Sequence, residues 1–455
     1  MKHNKRRRGQ KRKSDGSRDG RKKKVLVVTS VASMVSQFLL PDIRLLQEMG
    51  YEVHVMCNFK KGNTCGPMQL AKLERKLRGM HAVRHHWDCP RGIGCGLQCM
   101  RAFWQLWRVT GRQDFCLIHC HSPIGGALAR LAAHGRGIRV VYTAHGFHFY
   151  KGAPVKNWLL YYPVEKLLSY WTDALITVNR EDYRFAAGNL AAGSVYHIPG
   201  VGIDTSCLHQ LQWGHIQMRK GAGFTSQRRE DAGLAGWEIQ KQEAAYFHRK
   251  YHIPPGAKVL LSVGELNRGK NHKAAIRALA GLSGKDVYYL ICGQGRLKKE
   301  LRRYAGRLGV AGRVRLPGYQ ENIQRIYPHA DIFVFPSLRE GMPVALMEAM
   351  AAGLPCVVSD IRGNRELISD MYGGSGLAAC SAGSAAGGAS RGNREQIRLR
   401  FSPEDPKQLV QTLERLLADP QLRRACGERN QRKIQGYSRE AVLQKMRGIY
   451  QDMEA

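Results

Sequence analysis

From Val25 onward, apolar and polar positions follow a repeating cycle: a short apolar run, a longer segment at helical spacing, then another short run. The apolar runs predict strands at 25–28 (VLVV), 53–56 (VHVM), 116–120 (CLIHC), 139–143 (RVVYT), 174–178 (ALITV) and 195–198 (VYHI). After a polar stretch rich in Gly, Gln and Arg the cycle restarts at 258–263 (KVLLSV), 287–292 (VYYLIC), 313–316 (RVRL), 332–335 (IFVF) and 356–358 (CVV). Helical segments such as 272–282 and 296–309 lie between the strands, and helices at about 405–417 and 438–453 close the chain. Strands alternating with helices predict parallel sheets covered on both faces. The expected organisation is therefore α/β, with doubly wound domains over 25–200 and 258–437 and a linker carrying an insertion at 201–257. The last helix, 438–455, is the element able to return to the first domain. Open α/β sheets bind ligands beyond the C-terminal ends of their strands, so two such domains predict a cleft between them.

The segment FVFPSLREGMPVALMEAMAAGLPCVVSD, residues 333–360, predicts strand, loop, helix, strand. Pro343 opens the helix and Gly353 closes it. Glu348 interrupts an otherwise apolar helix that should pack on a sheet, and a buried carboxylate needs partners. Helical side chains lean back toward the N-terminus, so Glu348 points toward the helix start. The amides of Val344 and Ala345 lack intrahelical acceptors there, and free amides at a positive helix end favour a phosphate. A ribose attached to that phosphate would lie within reach of Glu348. Glu340, beside Gly341 in the preceding loop, is placed for a second polyol. The chemistry suggested is recognition of a nucleotide diphosphate-sugar; the bland alternative is a solvated Glu340 and a salt-bridged Glu348.

Other strand ends add to this picture. Strand 258–263 runs into VGELNRGKNHK, where Arg268 and Lys270 can neutralise a diphosphate leaving group. Strand 313–316 leads to Gly318 and Tyr319, a place for backbone against a base, and Gly293 and Gly295 read as a tight turn. In the first half, His119, His121, His145 and His148 gather at two strand ends. His119 shares side-chain parity with Phe115 and Leu117 and is expected to be packed. His145, just past a strand and followed by Gly146, is the better candidate for hydrogen bonding to a sugar or phosphate.

Composition narrows the classes. The 455 residues and 43% hydrophobic content support two or three ordinary domains and exclude disorder throughout. The net charge of +36 implies anionic partners. Residues 1–24 hold thirteen Lys/Arg and two Asp, a net +11, which leaves +25 on the rest. That tail is expected to be disordered and to serve as an anchor on an anionic membrane, with RNA binding or a merely solvated extension as rivals. The tail followed by 25–40 resembles a signal peptide, but Thr29, Ser30, Ser33 and Ser36 dilute the apolar part, and a helix and strand follow, as in an opening βαβ unit. No later stretch reaches the ~18–20 apolar residues of a membrane span. The twelve cysteines, several in apparent core strands (Cys116, Cys292, Cys356), fit free thiols of a cytosolic protein rather than a disulfide framework. The group His85, His86, Cys89, Cys95 and Cys99 lacks the paired C-x-x-C spacing of a zinc site.

With EGMPVALMEAMAAGLP, SVGELNRGKNH, LPGYQENI and YTAHGFHFYKG on the page, the chain resembles the retaining family-4 glycosyltransferases of the GT-B fold, over about residues 25–205 and 257–370. Within that family it is similar to bacterial capsule and exopolysaccharide enzymes that extend polyprenyl-diphosphate-linked glycans. The resemblance implies two Rossmann-like domains facing a central cleft, an acceptor domain first and a donor domain second. It implies that Glu348 holds the donor ribose, Glu340 contacts the donor sugar, Lys270 binds the diphosphate, and His145 contacts sugar or phosphate from the opposite domain. It further implies a nucleotide-sugar donor, UDP first among the nucleotides, a lipid-linked glycan acceptor, and a place at the inner face of the cell membrane. No cofactor, metal or nucleic acid is expected. Glu265 stands where many members have an arginine, which leaves Arg268 as the substitute. The 207–245 insertion and the Gly/Ala/Ser-rich 373–393 segment exceed the family pattern. Loop 29–37 and Trp87, Trp104 and Trp107 are the first-domain features that could meet a membrane, Trp104 and Trp107 being equally readable as packed on the sheet. A sugar-nucleotide epimerase of the same fold and a nucleic-acid-binding protein are the rival functions.

Overall fold

A computed structural model describes residues 22–61, 66–90, 96–204, 234–372 and 396–454. The basic tail up to residue 21, Cys65, Cys95, Cys207, Cys380, residues 205–233 of the linker and insertion, and the 373–393 segment lie outside the described residues.

Every predicted strand is present. The first sheet has seven strands: β1 (Lys24–Val31), β2 (Glu52–Asn58), β3 (Val83–His86), β4 (Phe115–His121), β5 (Arg139–Ala144), β6 (Ala174–Thr177) and β7 (Ser194–His197), in the order β3-β2-β1-β4-β5-β6-β7. Parallel register pairs Val25 with Val53 and Val27 with Val55, so that apolar rows face both helical layers. β3 was not foreseen, because its sequence VRHH at the sheet edge is mostly exposed and carries no apolar run.

The second sheet is built from β8 (Lys258–Val263), β9 (Val287–Cys292), β10 (Val314–Gly318), β11 (Ile332–Phe335), β12 (Cys356–Ser359) and, after the two-residue strands β13 (Met371–Tyr372) and β14 (Gln396–Ile397), β15 (Arg400–Phe401). Its order is β10-β9-β8-β11-β12-β15, the doubly wound 3-2-1-4-5-6 arrangement, whose direction reverses between β8 and β11. Leu260, Leu261, Ile291, Phe333, Val334 and Val357 are fully buried in its core. The backbones at the ends of β8 and β9 nearly touch: a Cβ on Gly293 would lie 1.8 Å from the Gly264 carbonyl oxygen. Packing of these two turns thus suffices to require glycine at 293.

The chain divides into two compact units, one of Met1–Cys120 with Ile124–Val140 and one of His121–Pro123 with Val141–Ala455. In the first, residues 29–37 are not a loop: β1 continues to Val31 and helical turns follow over Ala32–Met34 and Val35–Leu39, with Thr29, Ser30 and Ser33 buried. Trp87 is a core residue whose indole N–H donates to the Ala102 carbonyl at 2.8 Å. Trp104 is exposed, whereas Trp107 is half-buried under the Arg136 guanidinium, 4.0 Å from the ring. Cys116 lies in β4 but is exposed, unlike Cys292 and Cys356. In the second unit, the helix Arg439–Asp452 meets the end of β7, where the Tyr196 hydroxyl donates to Asp452 at 2.9 Å.

Candidate active site

The two strands flanking the reversal of the second sheet each deliver one charged side chain. β8 passes into a turn, Arg268–Lys270, fixed by the Asn267 side chain accepting from the Lys270 amide at 3.0 Å. Asn271 then takes a left-handed conformation (φ 49°), tolerable for asparagine, and turns the chain into the helix His272–Gly281. β11 passes into the loop carrying Glu340, and the Leu338 amide donating to the Gly269 carbonyl at 2.8 Å ties the two turns together. The Lys270 ammonium and the Glu340 carboxylate meet at 2.6 Å, both largely buried, with the ammonium 4.8 Å from the centre of the Phe335 ring. Part of the apparent free charge in both loops is therefore already paired.

Glu348 sits eight positions further, on the helix Val344–Ala351 that Pro343 caps. Its carboxylate accepts from the Tyr327 hydroxyl at 2.9 Å. Among the described residues no cation stands within 4.0 Å of it, so the salt-bridged alternative is not what the fold provides. Burial pushes its pKa up, and the Tyr327 hydrogen bond pulls it partly back. Val344 and Ala345 form the first turn of the same helix and are half-buried.

The loop after β5 joins the same unit. His145 Nε2 lies 3.1 Å from His121 Nδ1, and burial lowers its pKa to about 4, which leaves the imidazole neutral near pH 7. His119 is buried, as its parity suggested. Gly341 packs directly on this loop: a Cβ there would stand 1.9 Å from the His145 carbonyl oxygen. A Cβ on Gly363 would likewise stand 2.6 Å from the Gly341 carbonyl oxygen. The glycine in the Glu340 loop is thus demanded by backbone packing against the His145 loop.

Arg362 and Asp182 carry no mark in the sequence. They form a buried ion pair across 180 positions. Arg362 Nη2 also donates to the Phe147 carbonyl at 2.6 Å, and its guanidinium lies 4.5 Å from the centre of the Tyr150 ring. Asp182 completes the clasp by accepting from the Phe147 amide at 3.1 Å and the Asn179 side chain at 2.9 Å. His148, in the same loop, has its pKa lowered to about 4 by burial and then by the Arg339 and Arg362 cations. The only available signal was an arginine just past the strand CVVSD, indistinguishable from the many surface arginines of so basic a chain.

Three expected residues stand apart from this cluster. Arg268 is exposed, and its charge acts on Glu300 of the helix Lys298–Arg307. Gly318 has φ 89°, and its carbonyl accepts from the Gly293 amide at 2.9 Å, while Tyr319 beside it is exposed. Among the described residues no group of three or more His, Cys, Asp or Glu side chains could hold a metal ion. Of the suspected zinc group, His85 instead meets His54 at 2.9 Å and His86 meets Asp88 at 3.1 Å.

Comparison with known proteins shows the family. Residues 245–391 match the family model for glycosyl transferases group 1, and residues 35–192 match that for a glycosyl transferase 4-like domain. EpsD of Bacillus subtilis (strain 168), named as a glycosyltransferase, is 35% identical over 359 residues, covering 77% of this chain and 82% of that protein. The UDP-Gal:alpha-D-GlcNAc-diphosphoundecaprenol alpha-1,3-galactosyltransferase of Escherichia coli is 27% identical over 281 residues, covering 60% of this chain and 65% of that one. The crystal structure of Anabaena HepE with UDP and glucose superposes with a TM-score of 0.66 at 15% identity, covering 94% of this chain and all of that one. The chain belongs to the family-4 glycosyltransferases of the GT-B fold, the group that also contains exopolysaccharide enzymes.

Proposed function

We propose that the protein transfers a sugar from a nucleotide-diphosphate donor, UDP-linked, to a polyprenyl-diphosphate-linked glycan, with retention of configuration, at the inner face of the cell membrane. The observation that carries this reading is the Lys270–Glu340 pair at the ends of β8 and β11, with Glu348 on the helix that follows. Lys270 is the cation for the diphosphate, and the first-turn amides of Val344 and Ala345 supply further donors. Glu348, held among the described residues by Tyr327, has acceptor capacity left for ribose hydroxyls. Glu340 contacts the donor sugar, and Gly341 lets its loop close on the His145 backbone. His145, neutral, hydrogen-bonds sugar or phosphate without adding charge. Arg268 is a second, exposed cation for the diphosphate, and Gly318 and Tyr319 offer backbone and ring to the base.

No side chain of this cluster is an evident covalent nucleophile. The proposed step is front-side: the bond from the anomeric carbon to the diphosphate oxygen breaks as the acceptor hydroxyl adds to the same face, and the departing diphosphate takes the hydroxyl proton. Stabilising the departing charge is then the main task of the protein, and Lys270 performs it. The donor class and lipid-linked acceptor are supported by the Escherichia coli relative, whose name specifies UDP-Gal and a diphosphoundecaprenol acceptor. The first test is thermal stabilisation by UDP, GDP, ADP and UDP-sugars in the wild type and in Glu348→Ala. A shift with UDP that Glu348→Ala loses is the expected result; no shift with any nucleotide would overturn the reading.

A further inference from the structure

The helix Val155–Ser169 is apolar on the side that faces water. Val155 (73% exposed), Leu159 (74%), Leu160 (52%), Val164 (50%) and Leu167 (56%) point outward, and Tyr170 (58%) extends the same face one residue past the helix end. At 100° per residue these positions span roughly half the helix circumference. The inner side holds the aromatic rings: Trp158 and Tyr162 pack on Phe149 and Phe185, and Glu165, the only acid of the helix, is buried. A scattered exposed leucine needs no explanation, but a mostly aliphatic half-cylinder whose only charges are Lys156 and Lys166 does.

We infer that this face inserts into the interfacial region of an anionic bilayer. Charge supports this occupant. The outward face carries no carboxylate, Lys156 lies within it, Lys151 is exposed just before it, and the chain bears +36. A second copy of a chain so charged would be repelled, and six residues are far fewer than the roughly 20–30 per side of a standard protein interface. An aliphatic face with cations beside it matches helices that lie in the headgroup boundary. The helix is also joined to the candidate site: Asn157 donates to the His148 carbonyl at 2.9 Å, and the His148 ring stacks on Tyr161 at 4.5 Å. Seating the helix in the bilayer thus sets the His145–His148 loop beside the headgroups, where the diphosphate of a lipid-linked acceptor would lie. That consequence for the acceptor rests on the function proposed above; the insertion does not.

The test is sedimentation of the full-length protein with phosphatidylcholine vesicles containing phosphatidylglycerol. It is run at low salt and at about 0.5 M salt, where the Debye length is about 4 Å and purely electrostatic attachment by the tail is screened. Three proteins are compared: wild type, Leu159→Asn/Leu167→Asn and Val164→Trp, each also melted with and without UDP. At high salt the wild type is expected to stay partly bound, the double variant to partition roughly tenfold less and Val164→Trp more strongly. Equal partitioning of all three would overturn the proposal, as would a wild-type dimer that Leu159→Asn/Leu167→Asn dissociates, which would give the face to a second copy. Should the double variant fail to fold, the direction of the Val164→Trp change decides. A missing UDP shift with intact, variant-sensitive vesicle binding would sink the proposed function and leave this inference standing.

Discussion

The helices Val344–Ala351 and Val155–Ser169 are both mostly apolar and each holds a single glutamate, yet they bury opposite sides of themselves. In the first, Leu346, Met347, Ala349 and Met350 are buried and Glu348 takes the half-open position beside Tyr327. In the second, Val155, Leu159, Leu160, Val164 and Leu167 face out, while Leu168 and Glu165 face in. The difference lies in what surrounds them. The Val344 helix is covered by the second sheet and by the helix Pro420–Ile434, so its apolar residues have a core on nearly every side. The Val155 helix packs on a cluster of aromatic rings along one side only. Apolar composition alone therefore says that a face avoids water, not whether protein or lipid shields it.

The sharpest way to break this comparison is to truncate one leucine on each helix. Leu346→Ala is expected to cost about 2–5 kcal/mol in urea unfolding, and Leu159→Ala no more than about 0.5 kcal/mol. Comparable losses would mean that the Val155 face is covered within the protein itself. Next in size is Lys270→Ala, expected to lower the rate of sugar transfer by roughly 10²–10³-fold, while Arg268→Ala, at the exposed position, loses less than about tenfold. An equal loss in both variants would make the Lys270–Glu340 pair merely structural.

A smaller effect concerns protons. His145, His148 and His272 have pKa values lowered to about 4 by burial, against about 6.5 when unfolded. Such groups favour the folded state fully above pH 6.5, and that contribution is lost as pH falls toward 4, because the unfolded chain binds the proton more tightly. The melting temperature should decline over that window, and His148→Gln should reduce the proton uptake on unfolding by about one. An unchanged pH slope in the variant would contradict its burial. The smallest effect is at Glu348. Its raised pKa means that the folded state favours the protonated form, so stability is lost as pH rises through that pKa. Glu348→Gln should therefore melt slightly higher than wild type near pH 7 while losing the UDP-induced shift. A lower melting temperature without nucleotide would show the carboxylate to be a net stabiliser of the fold.

Much of the fold was legible because a parallel strand buried on both faces must be written as an apolar run, and every such run became a strand. What escaped had no such mark. β3 lies exposed at an edge, β15 is two residues long, and the helix Pro420–Ile434 is dominated by polar residues. Residues 29–37 read as a loop that could meet a membrane, yet Thr29, Ser30 and Ser33 are buried in strand and helix. Trp87 and Trp104 looked alike in sequence, and only packing separated a core indole from an exposed one.

By itself the sequence determined the eleven apolar strands and their alternation with helices along the chain, and the chemical types collected after β8 and β11, since local periodicity and turn residues encode them. Only the tertiary structure decided who meets whom. Lys270 pairs with Glu340 across 70 positions, Arg362 with Asp182 across 180, and Gly341 is pressed against His145. These contacts carry no local signature, because each depends on where two distant strands end. The outward turn of the aliphatic face of Val155–Ser169 has the same origin: the aromatic side chains found a protein partner first, and the remaining half of the helix was left to the surroundings.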